Sequence, residues 1–411
     1  MTGNPHAPNH LAPAGPGLRL TRRAALLGLG GAISLGRASL ALAAAPTDRR
    51  FVVILLRGAL DGMAAVVPYG DASLATWRPG LLTGRPGQAG GPLDLGGFYG
   101  LHPALAGMHG LYAAGEFLPV HAIAGAWRVR SHFEAQDYLE SGSDRRMTSG
   151  WLNRTVAALP APAAERPMGG ALAVGLSVPL LLRGPAEVAN WAPHAFAQPA
   201  PHLYSAIAAL NRHDPVTGPA IRQGLRARGY SDSVMAAGAQ PKDAFSFHAL
   251  ARFAGRMLRA DDGPRIAALE LGGWDTHTAQ ANRLRGPLKQ LDDGLVALKT
   301  ALGPAWSQTA VLAMTEFGRT ARVNGTKGTD HGTGTVAFLA GGAVAGGRVE
   351  ANWPGLGPGQ LFENRDLAPT TDLRAVAKGM LASHLGLDAS ALNRIFPGSE
   401  AVNGLRGQIR T

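Results

Sequence analysis

The sequence predicts an α/β fold in which helices sandwich a central, mostly parallel sheet. Three observations carry the prediction. Short apolar runs rich in β-branched residues, such as Phe51-Val52-Val53-Ile54-Leu55-Leu56, read as strands buried on both faces. Segments with helical periodicity alternate with these runs, as parallel strand connections require. Carboxylates and histidines gather just beyond the runs, where open α/β sheets collect their ligands.

The first element is a leader. Arg22 and Arg23 precede a short apolar stretch at 24–33, and Ala41-Leu42-Ala43 offers a small-residue cleavage site. This pattern is that of a twin-arginine export signal over residues 1–43. The apolar stretch is too short and too weak for a stable membrane span. Residues 44–411 are then expected as a single mature domain, carried by the twin-arginine translocase to the periplasm or beyond. Gly28, Gly30 and Gly31 imitate a dinucleotide-binding run, but no strand precedes them.

Composition narrows the chemistry. The chain has no cysteine, which excludes disulfides, thiolate metal sites and cysteine nucleophiles. The formal charge is +11; residues 1–43 hold four arginines and no acid, so the mature chain carries +7. No Lys/Arg block with interleaved aromatics appears, so nucleic acid is not an expected partner. A basic surface suits an anionic ester, free or part of the cell envelope.

The first strand, 51–56, ends in Arg57-Gly58-Ala59-Leu60-Asp61-Gly62. Asp61 there fits either a ligand or a helix N-cap. Residues 70–100, rich in Gly and Pro, read as a long loop. A helix follows from His102-Pro103 to about Ala114, then a strand at 117–123. Ser131 next precedes a helix, with Glu134 placed to complete a capping box. The same position faces free backbone N–H groups, so Ser131 either caps the helix or attacks an ester bound there. His132 either assists or packs.

Residues 150–245 carry less pattern: short strands at 171–175 and 179–183, and a helix at 203–211. A helix at 245–258 and a strand at 266–271 lead into Gly272-Gly273-Trp274-Asp275-Thr276-His277. Asp275 and His277, two apart on extended chain, point the same way and can share one cation. The helix 287–302 has a leucine stripe suited to core packing.

Two strands at 310–314 and 336–340 then bracket Thr315–Thr335. This loop holds six threonines and five glycines, too many for a core, and so reads as backbone in close approach around a site. Its chemistry-bearing residues are Glu316, Asp330 and His331. Last, Thr371-Asp372 caps a helix to Gly386, whose His384 is either surface or core. A P-loop lysine, a His-Glu-x-x-His helix and a nucleophile elbow are all missing.

Taken in order, the leader, RGALDG, RSHFEAQDYLESG, GGWDTH and TEFGRT…GTDHG resemble the exported bacterial family called domain of unknown function 1501. That family is itself similar to the alkaline phosphatase and sulfatase superfamily. The resemblance implies an alkaline phosphatase-like sheet and a divalent-metal site, with zinc or manganese as the metal. It makes Asp61, Asp275, His277, Glu316, Asp330 and His331 metal ligands, Ser131 the nucleophile and Arg319 a clamp for an anionic group. The spacing Asp-x-His here, against Asp-x-x-x-His in the superfamily, favours one metal over two. The expected activity is hydrolysis of phosphate or sulfate esters. The alternative is a non-catalytic binding or envelope-assembly protein on the same fold.

Overall fold

The computed structural model describes residues 48–81, 84–160, 170–193, 201–215, 217–235 and 243–410. The expected leader, 1–43, lies outside them. Eleven strands occur among the described residues: β1 Arg50–Leu56, β2 Val66–Val67, β3 Leu93–Asp94, β4 Gly100–Leu101, β5 Phe117–Ala124, β6 Ala171–Val174, β7 Ala189–Trp191, β8 Ile266–Leu271, β9 Thr309–Met314, β10 Thr335–Ala340 and β11 Thr371–Asp372. Eight form one sheet in the order β11-β5-β10-β9-β1-β8-β6-β7, and β2, β4 and β3 form a small second one.

The sheet is mostly parallel, as the buried apolar runs imply. β1 pairs in parallel with β8 (Leu56 against Leu271) and with β9 (Leu55 against Met314). Only β10 runs counter to the rest, antiparallel to both β5 and β9.

Alternation along β1 explains the three layers. Phe51, Val53 and Leu55 face one core, packed with Trp151, Val376 and Met380. Val52, Ile54 and Leu56 face the other, packed with Phe253, Met257, Leu288, Leu291 and Leu295. The helices Trp151–Ala158 and Leu373–Leu385 thus cover one face, and Phe247–Arg259 and Arg285–Leu302 the other. Among the described residues no helix is long and apolar enough to cross a membrane.

One expected strand is a turn instead. Residues Leu180–Leu182 form a 3-10 helix. Pro179 has no N–H to give a ladder, and the Leu181 N–H is taken at 2.8 Å by the Glu140 carboxylate. The helix cap at Asp372 occurs as expected, the helix closes at a left-handed Gly386, and His384 is a core residue.

Two buried histidines make the fold acid-sensitive. His384 donates from Nε2 to the Arg50 carbonyl (2.9 Å), and His121 donates to the Val66 carbonyl (3.0 Å) while its Nδ1 accepts from Ala122 N (2.8 Å). Burial holds both at about 4, below their ordinary 6.5. As pH falls through 6.5 the unfolded chain takes up these protons and the folded chain does not. Stability is therefore lost between pH 6.5 and about 4, on the order of 3 kcal/mol for each. Urea titrations at pH 7 and pH 5 are expected to show the loss, and His384→Gln is expected to reduce its slope.

Candidate metal centre

The site forms where the carboxyl ends of β1, β8 and β9 lie side by side. The loop after β1 brings Gly58, that after β8 brings Asp275 and His277, and that after β9 brings Glu316 and Arg319. β10 runs the opposite way, so its start lies at the same edge and delivers His331. The chain leaving β5 leads to His132, the first residue of the helix His132–Ser141.

Local chemistry makes this convergence possible. The loop after β9 folds back on itself: Arg319 and His331 face each other in an antiparallel bridge, with Gly332 N on Gly318 O at 2.8 Å. A Cβ on Gly332 would meet the Arg319 carbonyl carbon at 2.3 Å, so only glycine allows that approach. Gly58, at φ +119°, comes so near the next loop that a Cβ would lie 2.8 Å from Asp275 N.

Three imidazoles and a carboxylate point at one another. His331 Nε2 lies 3.0 Å from His132 Nε2 and 3.0 Å from His277 Nε2. Asp275 Oδ1 lies 2.9 Å from His277 Nε2 and 3.3 Å from His331 Nε2, and Oδ2 lies 3.7 Å from His132 Nε2. His132, Asp275 and His331 meet the separation expected of groups that share a metal ion.

The outer ring nitrogens are each held by an acceptor. His132 Nδ1 donates to Glu316 Oε1 at 2.7 Å, His331 Nδ1 to the Arg130 carbonyl at 2.9 Å, and His277 Nδ1 to Asp330 Oδ1 at 3.3 Å. A carbonyl or ionised carboxylate can only accept, so each ring carries a proton on Nδ1. The Nε2 atoms of His132 and His331 and a carboxylate oxygen of Asp275 then converge, with His277 Nε2 beside His331 and Asp275, an arrangement suited to a cation. Tetrahedral ligands at zinc-like bond lengths stand roughly 3.3 Å apart, within the spread of the separations above. The residues present therefore fit a metal, and their outer hydrogen bonds are those that orient metal-binding imidazoles.

Electrostatics agree with this geometry. Burial disfavours charge on Asp275, but the hydrogen bond and charge of Arg319 outweigh it and hold Asp275 below the ordinary carboxylate range. Burial likewise opposes Glu316, yet bonds from His132, Gln136 and Thr315 keep it ionised. The Asn324 amide is the main reason Asp330 is held low. Burial holds His331 below its ordinary value and favours its neutral form, whereas the hydrogen bond to Glu316 raises His132. The Phe317 ring, centred 4.9 Å from His132 and 5.1 Å from His331, backs both imidazoles. Asp275, with 46% of its side chain exposed, and His277, with 41%, leave the opposite side open to a solute.

The sequence-derived residues fall into two groups. Asp275, His277 and His331 meet as donors. The others stand apart from the ring of donors. Asp61 is fully buried; its oxygens take Arg78 Nη1 (2.9 and 2.7 Å), Gln280 Nε2 (2.6 Å) and Ala64 N (3.1 Å), leaving none for a metal. Glu316 has both oxygens in use, by Gly58 N, His132 and Gln136 on one and Thr315 on the other. It holds a histidine and does not face the centre. Asp330 likewise holds His277.

Arg319 is no clamp for a solute. It is 0% exposed and spends its donors on the carbonyls of Gly58, Ala59, Trp274 and Thr329 and on Asp275. It ties three loops together and fixes Asp275. Ser131 occupies the N-cap position but makes no side-chain cap bond, so the expected capping box does not form; the residue is exposed. His132 emerges as a central donor, which the sequence left as assisting or packing.

Glu316→Gln tests this arrangement. The amide presents a donor or a weaker acceptor to His132, and metal affinity is expected to fall about 10- to 100-fold. Competition with a chromogenic chelator reads this directly. An unchanged affinity would mean that Glu316 does not orient the centre.

The fold and the site together define an α/β protein in which His132, Asp275 and His331 form a candidate metal-holding group at the carboxyl edge of the sheet, with His277 beside them. The chain belongs to the family described as Protein of unknown function (DUF1501), which matches residues 126–396. That span contains every donor above, and Asp61 lies outside it. No curated protein matches the chain. Solved structures resemble it at low scores. Ps i-CgsB in complex with k-i-k-neocarrahexaose has 10% identity over 87% of this chain and 75% of that one, with a TM-score of 0.40. The alkaline phosphatase of the Antarctic bacterium TAB5 has 13% identity over 73% and 94%, with a TM-score of 0.31. A 2-O GAG sulfatase has 12% identity over 87% and 73%, also at 0.31.

Proposed function

We propose that the chain is a metal-dependent hydrolase of phosphate or sulfate esters, working through a seryl intermediate after twin-arginine export. The observation that supports it most is the convergence of His132, Asp275 and His331, with the anchored imidazole of His277 beside them. His132, Asp275, His277 and His331 would hold one divalent cation. Imidazole and carboxylate donors without sulfur suit zinc or manganese. Such a cation, when bound, polarises an ester oxygen and eases ionisation of a neighbouring hydroxyl.

The chain's own residues supply the rest. Ser131 lies between Arg130, whose carbonyl holds His331, and the donor His132. Its exposed hydroxyl stands at a helix N-terminus, where free N–H groups favour an anion. The Ser131 hydroxyl gives up its proton as Oγ bonds to phosphorus or sulfur. The ester bond breaks, and the leaving alcohol takes up a proton. Water then splits the seryl ester, restoring Ser131 and releasing the inorganic anion. Arg319 keeps Asp275 ionised and in place throughout.

One observation favours a second reading, a binding or envelope-assembly protein without turnover. The arginines around the centre are engaged by the protein itself: Arg319 as above, and Arg130 by Glu363 and Asp366. One assay separates the two. With zinc or manganese, the enzyme reading expects p-nitrophenol from p-nitrophenyl phosphate or sulfate, abolished by a chelator and restored by metal. A metal-loaded protein inert toward both esters would favour the binding reading.

A further inference from the structure

A cavity of about 740 Å³ lies beside the metal centre and shares none of its donors. Its floor includes Arg78 and Gln280, which hold the buried Asp61 between them. On its other side Gln280 accepts from Thr276 (2.9 Å) and Thr329 (2.6 Å), so this polar set walls the cavity off from the loops of the centre. A volume of this size is that of a small-molecule site.

The lining has a definite chemistry. Met63, Val67 and Leu81 offer apolar surface. Asp292 is the carboxylate in the wall, and both its oxygens are taken, by Gly107 N at 3.0 Å and Met108 N at 2.7 Å. The Arg78 charge is matched by Asp61, and Lys289 pairs with Asp293. Arg285 differs: among the described residues no carboxylate lies within ion-pair distance of it. His102 shares the wall with it. Burial and then the Arg285 charge hold His102 at about 4, so its ring is neutral. Its Nδ1 accepts from Ala104 N at 3.1 Å, which puts the ring proton on Nε2 as a donor. The wall thus combines an unmatched cation, a neutral N–H donor and apolar surface, and it lacks a free carboxylate.

We propose that this cavity binds a small amphiphilic anion: a carboxylate on an apolar chain of medium length. Arg285 and His102 take the carboxylate, and Met63, Val67 and Leu81 take the chain. The site does not depend on the hydrolase reading, because none of the metal donors lines it.

Octanoate is the probe, read by calorimetric titration and by thermal shift on the full mature chain. Saturable binding and a raised Tm are expected. Acetate, without the chain, and octylammonium, with the opposite charge, are expected to give neither at equal concentration. Arg285 is exposed, so Arg285→Glu should leave the Tm of the ligand-free protein unchanged while weakening octanoate at least about tenfold, the loss of one charge-assisted contact. His331→Ala is expected to bind octanoate as the parent does. Equal binding of octylammonium, or undiminished binding by Arg285→Glu, would overturn the proposal. So would loss of binding in His331→Ala, which would place the carboxylate at the metal centre.

Discussion

Ser131→Ala is expected to lower ester turnover by on the order of a thousandfold or more, because a hydroxyl nucleophile has no substitute in the covalent route. The structure allows a clean test. The Ser131 side chain is exposed and makes no cap bond, so its removal forfeits no contact that holds the helix His132–Ser141. Helix-cap losses of about 1 kcal/mol therefore do not apply here. The metal should stay as well, since His132 is held independently through Glu316. A variant with full metal, an unchanged Tm and no turnover is the expected outcome. Undiminished turnover would transfer the attack from Ser131 to water.

Asp61→Ala is expected to cost about 3–5 kcal/mol of stability, the usual penalty for leaving one half of a buried ion pair. Arg78 is 1% exposed and Asp61 is fully buried, so the guanidinium would keep only the carbonyls of Thr320 and Ala321. Asp61→Asn retains an acceptor for Gln280 and should cost less. In urea unfolding the order parent, Asn variant, Ala variant is expected, and the Asn variant should bind metal as the parent does. Loss of metal without loss of stability in the Asn variant would return Asp61 to the ligands.

The contrast between Asp61 and Asp275 shows what the sequence made legible. The sheet could be read because β1, β5, β8, β9 and β10 are buried on both faces and so leave largely apolar runs, broken inside only by His121 in β5 and Glu270 in β8. The carboxyl-edge loops could be read because strand ends collect ligands. Asp275 and His277 share a direction in extended chain, and the geometry keeps that: Thr276 between them turns the other way, to Gln280.

What a single loop cannot reveal is which carboxylate faces inward. Asp61 has the same sequence setting as a ligand, but its partner Arg78 lies in the Gly/Pro-rich stretch that shows no periodicity. Glu316 and Asp330 hold histidines because of contacts made across more than 50 residues of chain. Arg319 looked free for an anion because the carbonyls that absorb it belong to three separate loops. The sequence leaves His132 open, to assist or to pack, because the Ser-x-x-Glu pattern beside it points to a cap. Its signal was there: a histidine opening a helix just after a buried strand, at the edge where the other donors gather.

The most direct test of the metal centre is elemental analysis of the natively produced protein beside the double variant Asp275→Ala, His277→Ala. The account predicts about one zinc or manganese ion per chain in the parent, by the donor count at a single four-ligand site. It predicts that the double variant, still folded, holds almost none. No metal in a folded parent, even after metal is supplied, or equal metal in parent and variant, would contradict the centre described here.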